Sequence, residues 1–148
     1  MATGEPSRRT VVQGGRPKAY RPLARTAIVE AVAAGLAAYR HGAFFEAHER
    51  LEPAWMGTDD LPERELYQGL IKLAAAFVHR DRGNPTGMTK NLVGARRRLI
   101  AARDGGAGLA AVELDLILTG IDRALAALEH GTAPAAIPPV ALAPVELA

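Results

Sequence analysis

The feature that most constrains the fold is the run LIKLAAAFV at residues 70–78, which carries a single charged side chain. The run lies in a helical stretch from about Pro62 to Arg82, and its apolar side chains surround that helix on almost every side. A surface helix has one apolar stripe, whereas a helix that is apolar all round is buried. The sequence therefore predicts a central helix that the rest of the chain encloses.

Apolar residues recur at helical spacing on both sides of this stretch, and no strand-like alternation interrupts them. A first helix is predicted from Pro22 to Arg40 and a second from Ala43 to about Met56. A fourth has its apolar face from Met88 to Ala102, and a fifth from Val112 to Leu128. The fold class predicted is all-α, a small bundle of about five helices around the buried central one, with irregular N- and C-terminal tails.

The length of 148 residues predicts one domain, which can bury roughly 68–70% of its unfolded surface. We place the helical domain at residues 22–130. Residues 1–21 contain glycine, proline and arginine without an apolar period, and are interpreted as a basic flexible arm. Residues 131–148 form an Ala/Pro-rich tail, in which four prolines exclude a continuous helix.

Charge and composition narrow the classes of partner. The formal net charge is +2, but residues 1–25 hold six basic side chains against one acidic one. The basic arm can contact nucleic-acid phosphates, and elsewhere no aromatic side chains for base stacking accompany the arginine run at residues 96–98. No apolar run approaches the roughly 20 residues of a membrane span, and no signal peptide is visible. We expect a cytoplasmic protein without a membrane partner, whose partner is a small molecule or a protein.

The second predicted helix places polar residues among apolar ones. At about 100° per residue, His48 and Glu52 fall in the middle of an apolar stripe, and Glu49 falls on its margin. The stripe consists of Phe44, Phe45, Leu51 and Trp55. A carboxylate in an apolar face costs several kcal/mol unless it is paired. The sequence therefore predicts a partner for Glu52, and His48 is the nearest candidate.

The central helix carries a narrow polar seam that suits this face. Gln68, Lys72 and His79 follow one line along the helix together with Ala75. Gly69 lies beside the seam and lets another helix approach closely. We expect the second helix to pack against the seam, which would bring His48 and Glu52 together with Gln68 and His79.

At these residues the chain resembles a known family. The run FEAHERLEPAW at residues 45–55 resembles the F-x-x-H-E-x-L-E-x-x-W signature of the bacterial and archaeal family called domain of unknown function 309, whose HxxxExxW motif is matched by His48, Glu52 and Trp55. Two later blocks also match, at Gln68, Gly69, Leu70, Ile71, Ala75, His79, Arg82, Gly83 and Asn84, and then at Gly87, Leu92, Ala95 and Leu99. The resemblance covers roughly residues 30–103. It implies a small all-helical fold with one central helix, and it implies no activity, because none is established for the family. Pro53 departs from the pattern and is expected to disturb the helix at Glu52.

Three interpretations of the polar cluster remain open. We favour a ligand- or protein-binding module with a polar pocket. The alternative is a small hydrolase-like enzyme in which His48 and Glu52 perform acid–base chemistry, with or without a metal ion. The third is a buried His48–Glu52 network that fixes helix register. The pocket residues predicted are His48, Glu49, Glu52, Gln68 and His79, with Trp55 as a wall.

Two kinds of ion binding bear on these interpretations. No cofactor is predicted, but His48, Glu52 and His79 have the residue types of a His₂Glu zinc site, and the absence of cysteine restricts any metal site to such ligands. Arg80, Arg82 and Asn84 precede the fourth helix, whose free N–H groups can hold an anion. Capping of that helix by Asn84 is the competing interpretation.

Overall fold

Five helices make up most of the structure, a computed structural model that describes residues 10–13, 16–108 and 113–137. The elements are β1 (Thr10–Gln13), β2 (Arg16–Ala19), α1 (Arg25–Arg40), α2 (Phe44–Gly57), α3 (Leu61–Asp81), α4 (Pro85–Asp104) and α5 (Leu114–Glu129). The prediction of a small all-α bundle is confirmed. None of the helices in these residues has the length and apolarity needed to cross a membrane.

Helices α3 and α4 begin where side chains satisfy their first free N–H groups. The Asp60 carboxylate accepts a hydrogen bond from the Glu63 N–H at 3.1 Å, and the Asn84 Oδ1 accepts one from the Gly87 N–H at 3.0 Å. A proline lies in the first turn of each helix, where the missing N–H is no loss. The competing interpretation of Asn84 as a helix cap is therefore confirmed.

Helix α3 is the central element. It packs against both α2 and α4, and its Tyr67, Leu73 and Phe77 side chains are almost completely buried. A Cβ atom placed on Gly69 would lie 2.6 Å from the Leu99 Cδ2. Leu99 of helix α4 therefore packs directly against α3 at the position where α3 has no side chain.

Residues 10–19 contain a hairpin that the sequence pattern did not predict. Strands β1 and β2 pair antiparallel, from Thr10 opposite Ala19 to Gln13 opposite Arg16. Residues 1–21 were expected to form a flexible arm, and within that range Gln13 is only 2% exposed. The hairpin was missed because its strands have four residues each and because a polar residue anchors it. Residues 1–9, 14 and 15 of the predicted arm lie outside the described residues.

The segment after the hairpin runs along the end of α2. The Arg21 N–H donates to the Met56 carbonyl at 2.7 Å, and the Leu23 N–H donates to the Gly57 carbonyl at 3.1 Å. These carbonyls belong to the last turn of α2, where no N–H group of the helix itself is available to bond to them. Helix α1 consequently begins at Arg25 rather than at Pro22, because the preceding backbone groups bond to α2.

The first part of the predicted tail lies against the helices. The Tyr39 hydroxyl donates a hydrogen bond to the Ile137 carbonyl, and the Arg80 Nη1 donates to the Pro134 carbonyl at 3.2 Å. The Ile137 side chain is buried in the core cluster. Residues 138–148 lie outside the described residues.

The close approach of α4 to α3 predicts the effect of filling the space at residue 69. Gly69→Val adds carbons where even a Cβ would overlap Leu99, and overpacking of this kind costs about 1–3 kcal/mol. We expect urea denaturation to show a loss of this size. Ala126→Val, at an exposed position of α5, is the control for a β-branched residue in a helix, and an equal loss in both variants would contradict the prediction.

The buried Tyr67 phenol predicts that the folded protein loses stability at alkaline pH. Burial raises the pKa of Tyr67, and its hydrogen bond to Glu63 at 2.5 Å raises it further. The unfolded chain releases the phenol proton near pH 10 while the folded chain retains it, so the free energy of unfolding falls as the pH rises above about 10. When the free energy of unfolding is measured at several pH values above 10, it should fall less steeply with pH for Tyr67→Phe than for the wild type. A pH dependence in Tyr67→Phe equal to that of the wild type would refute the assignment.

Candidate functional site

A polar cleft of about 270 Å³ lies where α2, α3 and α4 meet. Helix α2 contributes one histidine, one glutamate and one tryptophan, and α3 contributes most of the remainder. The lining residues are His48, Glu52, Trp55, Gln68, Ile71, Lys72, Ala75 and Asn91. The cleft therefore includes the three residues of the HxxxExxW motif and the first two polar positions of the seam on α3.

The rotation of α2 differs from the one predicted. Its core-facing residues are Phe44, Ala47, Leu51 and Ala54. Phe45 is 54% exposed, and Glu52 is also exposed, so the prediction that both face the core is wrong. The physical reason is that small alanines let α2 lie close to its neighbours, and the buried sector is centred on them rather than on the larger apolar residues.

This rotation changes the environment of the predicted pair. His48 and Trp55 lie half-buried at the edge of the core sector, and Glu52 reaches solvent at the cleft. An exposed carboxylate needs no buried partner, so the hypothesis of a buried His48–Glu52 network is wrong. Helix α2 continues through the exposed Pro53 as far as Gly57.

Two of the predicted pocket residues lie elsewhere. Glu49 lines a neighbouring groove of about 360 Å³, which it shares with Glu52 and Arg21. His79 does not line the cleft, and its Nδ1 lies 3.1 Å from the Asn84 Nδ2. The Asn84 Oδ1 is occupied by the Gly87 N–H, so the amide donates to His79. His48, Glu52 and His79 are thus not brought together, and among the described residues no group of three acidic or histidine side chains is placed to hold a metal ion.

The predicted anion contacts also separate. Arg80 lies over the Phe44 and Phe77 rings, with its guanidinium carbon 5.5 and 5.0 Å from the ring centroids. The guanidinium carbon of Arg82 lies 6.0 Å from the centroid of the exposed Phe45 ring. Arg80 and the helix cap Asn84 line a shared groove of about 280 Å³, to which Arg82 does not contribute. The three residues do not converge on one point.

His48 contains an unusual polar atom. Its Nδ1 is buried and has no hydrogen-bond partner, while the ring stacks on Phe45 with centroids 6.0 Å apart and an interplanar angle of 20°. A buried N–H without an acceptor is rare in folded proteins. We therefore assign the proton of the neutral ring to Nε2, which makes Nε2 a hydrogen-bond donor.

Gln13, which the sequence analysis did not identify, makes four side-chain hydrogen bonds beside the cleft. Its Nε2 donates to the Gln68 Oε1 at 2.7 Å and to the Glu65 Oε1 at 3.2 Å. Its Oε1 accepts from the Trp55 Nε1 at 3.2 Å and from the Arg64 Nε at 3.4 Å. Gln13 thus holds two walls of the cleft, Trp55 and Gln68, although no motif or spacing in the sequence connects residue 13 to them.

Arg64 is the second residue that the sequence analysis missed. It is 0% exposed, and its Nη1 donates to the carbonyls of Trp55 and Thr58, each at 2.9 Å. Its Nη2 donates to the Ala19 carbonyl at 3.2 Å, and its guanidinium carbon lies 5.3 Å from the Trp55 ring centroid. Burial lowers the pKa of Arg64, and the nearby negative charges of Asp59 and Glu65 oppose that shift. Arg64 therefore joins the hairpin, the end of α2 and the start of α3.

A protein-family model matches the segment of the chain that carries the cleft. Residues 32–91 match the family model described as Domain of unknown function (DUF309). The match includes every residue that lines the cleft and also Arg64, but it does not include Gln13 or the hairpin. Neither the curated proteins nor the solved structures include a significant match to this chain.

The contacts of Arg64 predict that lysine cannot replace it. Arg64→Lys keeps the charge but removes the planar fork that reaches three carbonyls, and each hydrogen bond from a charged group contributes about 1.5–3 kcal/mol. We expect urea denaturation to show a loss of about 3 kcal/mol or more. The matched control is Arg97→Lys, at an exposed position of α4. A loss in Arg64→Lys no larger than that in the control would show that the fork is not required.

Proposed function

We propose that this chain, whose residues 32–91 match the DUF309 family model, is a ligand-binding protein whose ligand occupies the cleft between α2, α3 and α4. The family description names no activity, so the proposal depends on the cleft itself. The observation that carries it is the set of polar groups from three helices that face one small space, with His48 at its edge.

The size of the cleft supports a small metabolite as ligand. Its volume of about 270 Å³ is just below the roughly 300–1,000 Å³ that is typical of sites for drug-sized molecules. Its lining combines polar groups with the apolar side chains of Ile71 and Ala75. Binding sites of this kind use a few polar groups to orient a ligand and apolar contacts to hold it.

The second candidate function is a small hydrolase-like enzyme that performs acid–base chemistry without a metal ion. It is supported by the presence of His48 and Glu52 in the same cleft, one helical turn apart. The Glu52 carboxylate can accept a proton from a bound substrate, while the His48 Nε2–H can donate a hydrogen bond to that substrate. The two functions differ in one measurable respect, because Glu52→Gln would abolish turnover in an enzyme while the substrate still binds.

Thermal denaturation with a library of small metabolites tests the proposal. A ligand at 100 times its Kd stabilises the folded state by about 2.7 kcal/mol, which raises the Tm of a domain of this size by about 5–10 °C. We expect His48→Ala and Glu52→Gln to reduce this shift while their own Tm values stay close to that of the wild type.

Glu30→Gln is the matched control, because Glu30 is an exposed acid on α1 outside the cleft lining. It should respond to the ligand as the wild type does. The proposal fails if no metabolite raises the Tm. It also fails if a ligand raises the Tm of His48→Ala and Glu52→Gln as much as that of Glu30→Gln.

A further inference from the structure

We infer that the helices carry a docking site for an extended peptide segment of a partner protein, one with a proline and an aliphatic side chain three residues apart. Residues 134–137 of this chain occupy the site as an internal ligand. The inference is independent of the proposed function, because the site is formed by residues of α1, α3 and α5 that do not line the cleft.

The segment that occupies the site is extended, and its burial has a period of three. Residues 132–137 have no regular secondary structure. Pro134 and Ile137 are buried, whereas Ala135 and Ala136 between them are exposed. A polyproline-type helix has three residues per turn, so residues i and i+3 lie on the same side of it. The segment therefore presents one proline and one isoleucine to the helices.

Hydrogen bonds to the segment follow the same period. The Arg80 Nη1 donates to the Pro134 carbonyl at 3.2 Å, and the Tyr39 hydroxyl donates to the Ile137 carbonyl. A polyproline-type backbone makes no internal hydrogen bonds, so its carbonyls are free to accept from the helices. Domains that recognise proline-rich peptides likewise receive an extended backbone in an aromatic-lined groove.

Aromatic side chains hold both donors in place. The Tyr39 ring makes edge contacts with Phe44 and Phe77, with centroids 5.1 and 6.2 Å apart. The Arg80 guanidinium lies over the same two rings, and its Nη2 donates to the Asp81 carboxylate at 2.9 Å. Donors that are already fixed lose little conformational freedom when a ligand binds, so the site is preorganised for a peptide.

A space on α5 receives the aliphatic side chain. A Cβ atom placed on Gly120 would lie 2.8 Å from the Ile137 Cγ2, so the isoleucine packs where α5 has no side chain. Ile137 is 7% exposed and belongs to the core cluster. The site therefore selects an aliphatic residue at this position of the peptide.

The chain's own segment does not cover the whole site. A groove of about 490 Å³ lies between α5 and this segment, and its lining includes Leu116, Ala135 and Ala136. The Leu116 side chain is 50% exposed. A peptide with larger apolar side chains in place of the two alanines would contact this surface and remove more apolar area from water. This observation favours a partner's segment over the chain's own as the better ligand.

Titration of the full chain with two peptides, followed by NMR of the backbone amides, tests the inference. The peptide TAPAAI has the sequence of residues 132–137, and TAPLLI replaces its two central alanines with leucine. We expect TAPLLI to bind at least about tenfold more tightly than TAPAAI and to shift the amide signals around Gly120, because the leucines fill the groove. Equal affinity of the two peptides overturns the inference.

The variant Ile137→Asp tests whether the internal segment competes for the site. A short linker holds such a segment at an effective concentration of about mM, so its release should strengthen the binding of both peptides at least about tenfold. Val93→Asp, at a position of α4 that is 44% exposed, is the matched control and should bind as the wild type does. Ile137→Ala replaces Ile137→Asp if the latter does not fold. Unchanged or absent binding in the folded variant overturns the inference.

A change on α5 tests the location of the peptide. Gly120→Val, introduced into the Ile137→Asp chain, places a side chain in the space that the isoleucine of the peptide requires. We expect it to abolish the binding of both peptides. Undiminished binding would place the peptides elsewhere on the molecule and would overturn the inference.

The competing occupant is the same segment of a second copy of this chain. Analytical ultracentrifugation separates the two cases, and we expect both the wild type and Ile137→Asp to be monomers. A wild-type dimer that Ile137→Asp converts to a monomer would show that the site takes the segment of a second copy, and it would overturn the inference of a partner protein.

Discussion

The buried guanidinium of Arg64 is the interaction on which the rest of the structure depends. Its acceptors among the described residues are neutral, namely the amide oxygen of Gln13 and the carbonyls of Ala19, Trp55 and Thr58. A buried cation is tolerated when hydrogen bonds replace its lost hydration, and the carbonyl end of α2 also offers the negative pole of that helix. One side chain thus holds three segments that are distant in the sequence.

The contacts of Arg64 also position the walls of the cleft. Arg64 holds the backbone of Trp55 and lies over its ring, while Gln13 receives the indole N–H and donates to Gln68. The glutamine comes from the hairpin, and the residues that it orients belong to α2 and α3. A change in the hairpin can therefore alter the cleft through the hydrogen bonds of Gln13 to Trp55 and Gln68. The segment that matches the family model, residues 32–91, does not include Gln13.

The sequence was sufficient for the helices and for part of the site. The apolar run at residues 70–78 predicted the buried α3, and the close approach at Gly69 followed from its missing side chain. His48, Glu52, Trp55 and Gln68 do share one cleft. The errors concern direction: Phe45 and Glu52 face outward, and His79 contacts Asn84. A helical projection gives the angle between two residues of one helix, but it does not show which sector the neighbouring helices cover.

The sequence by itself determined which segments are helices, because apolar spacing, capping residues and glycines act within a few residues of one another. Only the tertiary structure decided which polar side chains meet. Gln13 lies 55 residues from Gln68 in the chain and 2.7 Å from it in space, and Arg64 is buried although arginine is ordinarily exposed. Such contacts depend on how whole elements dock, since a hydrogen bond requires both partners within about 3 Å, and no local pattern of residue types specifies that distance.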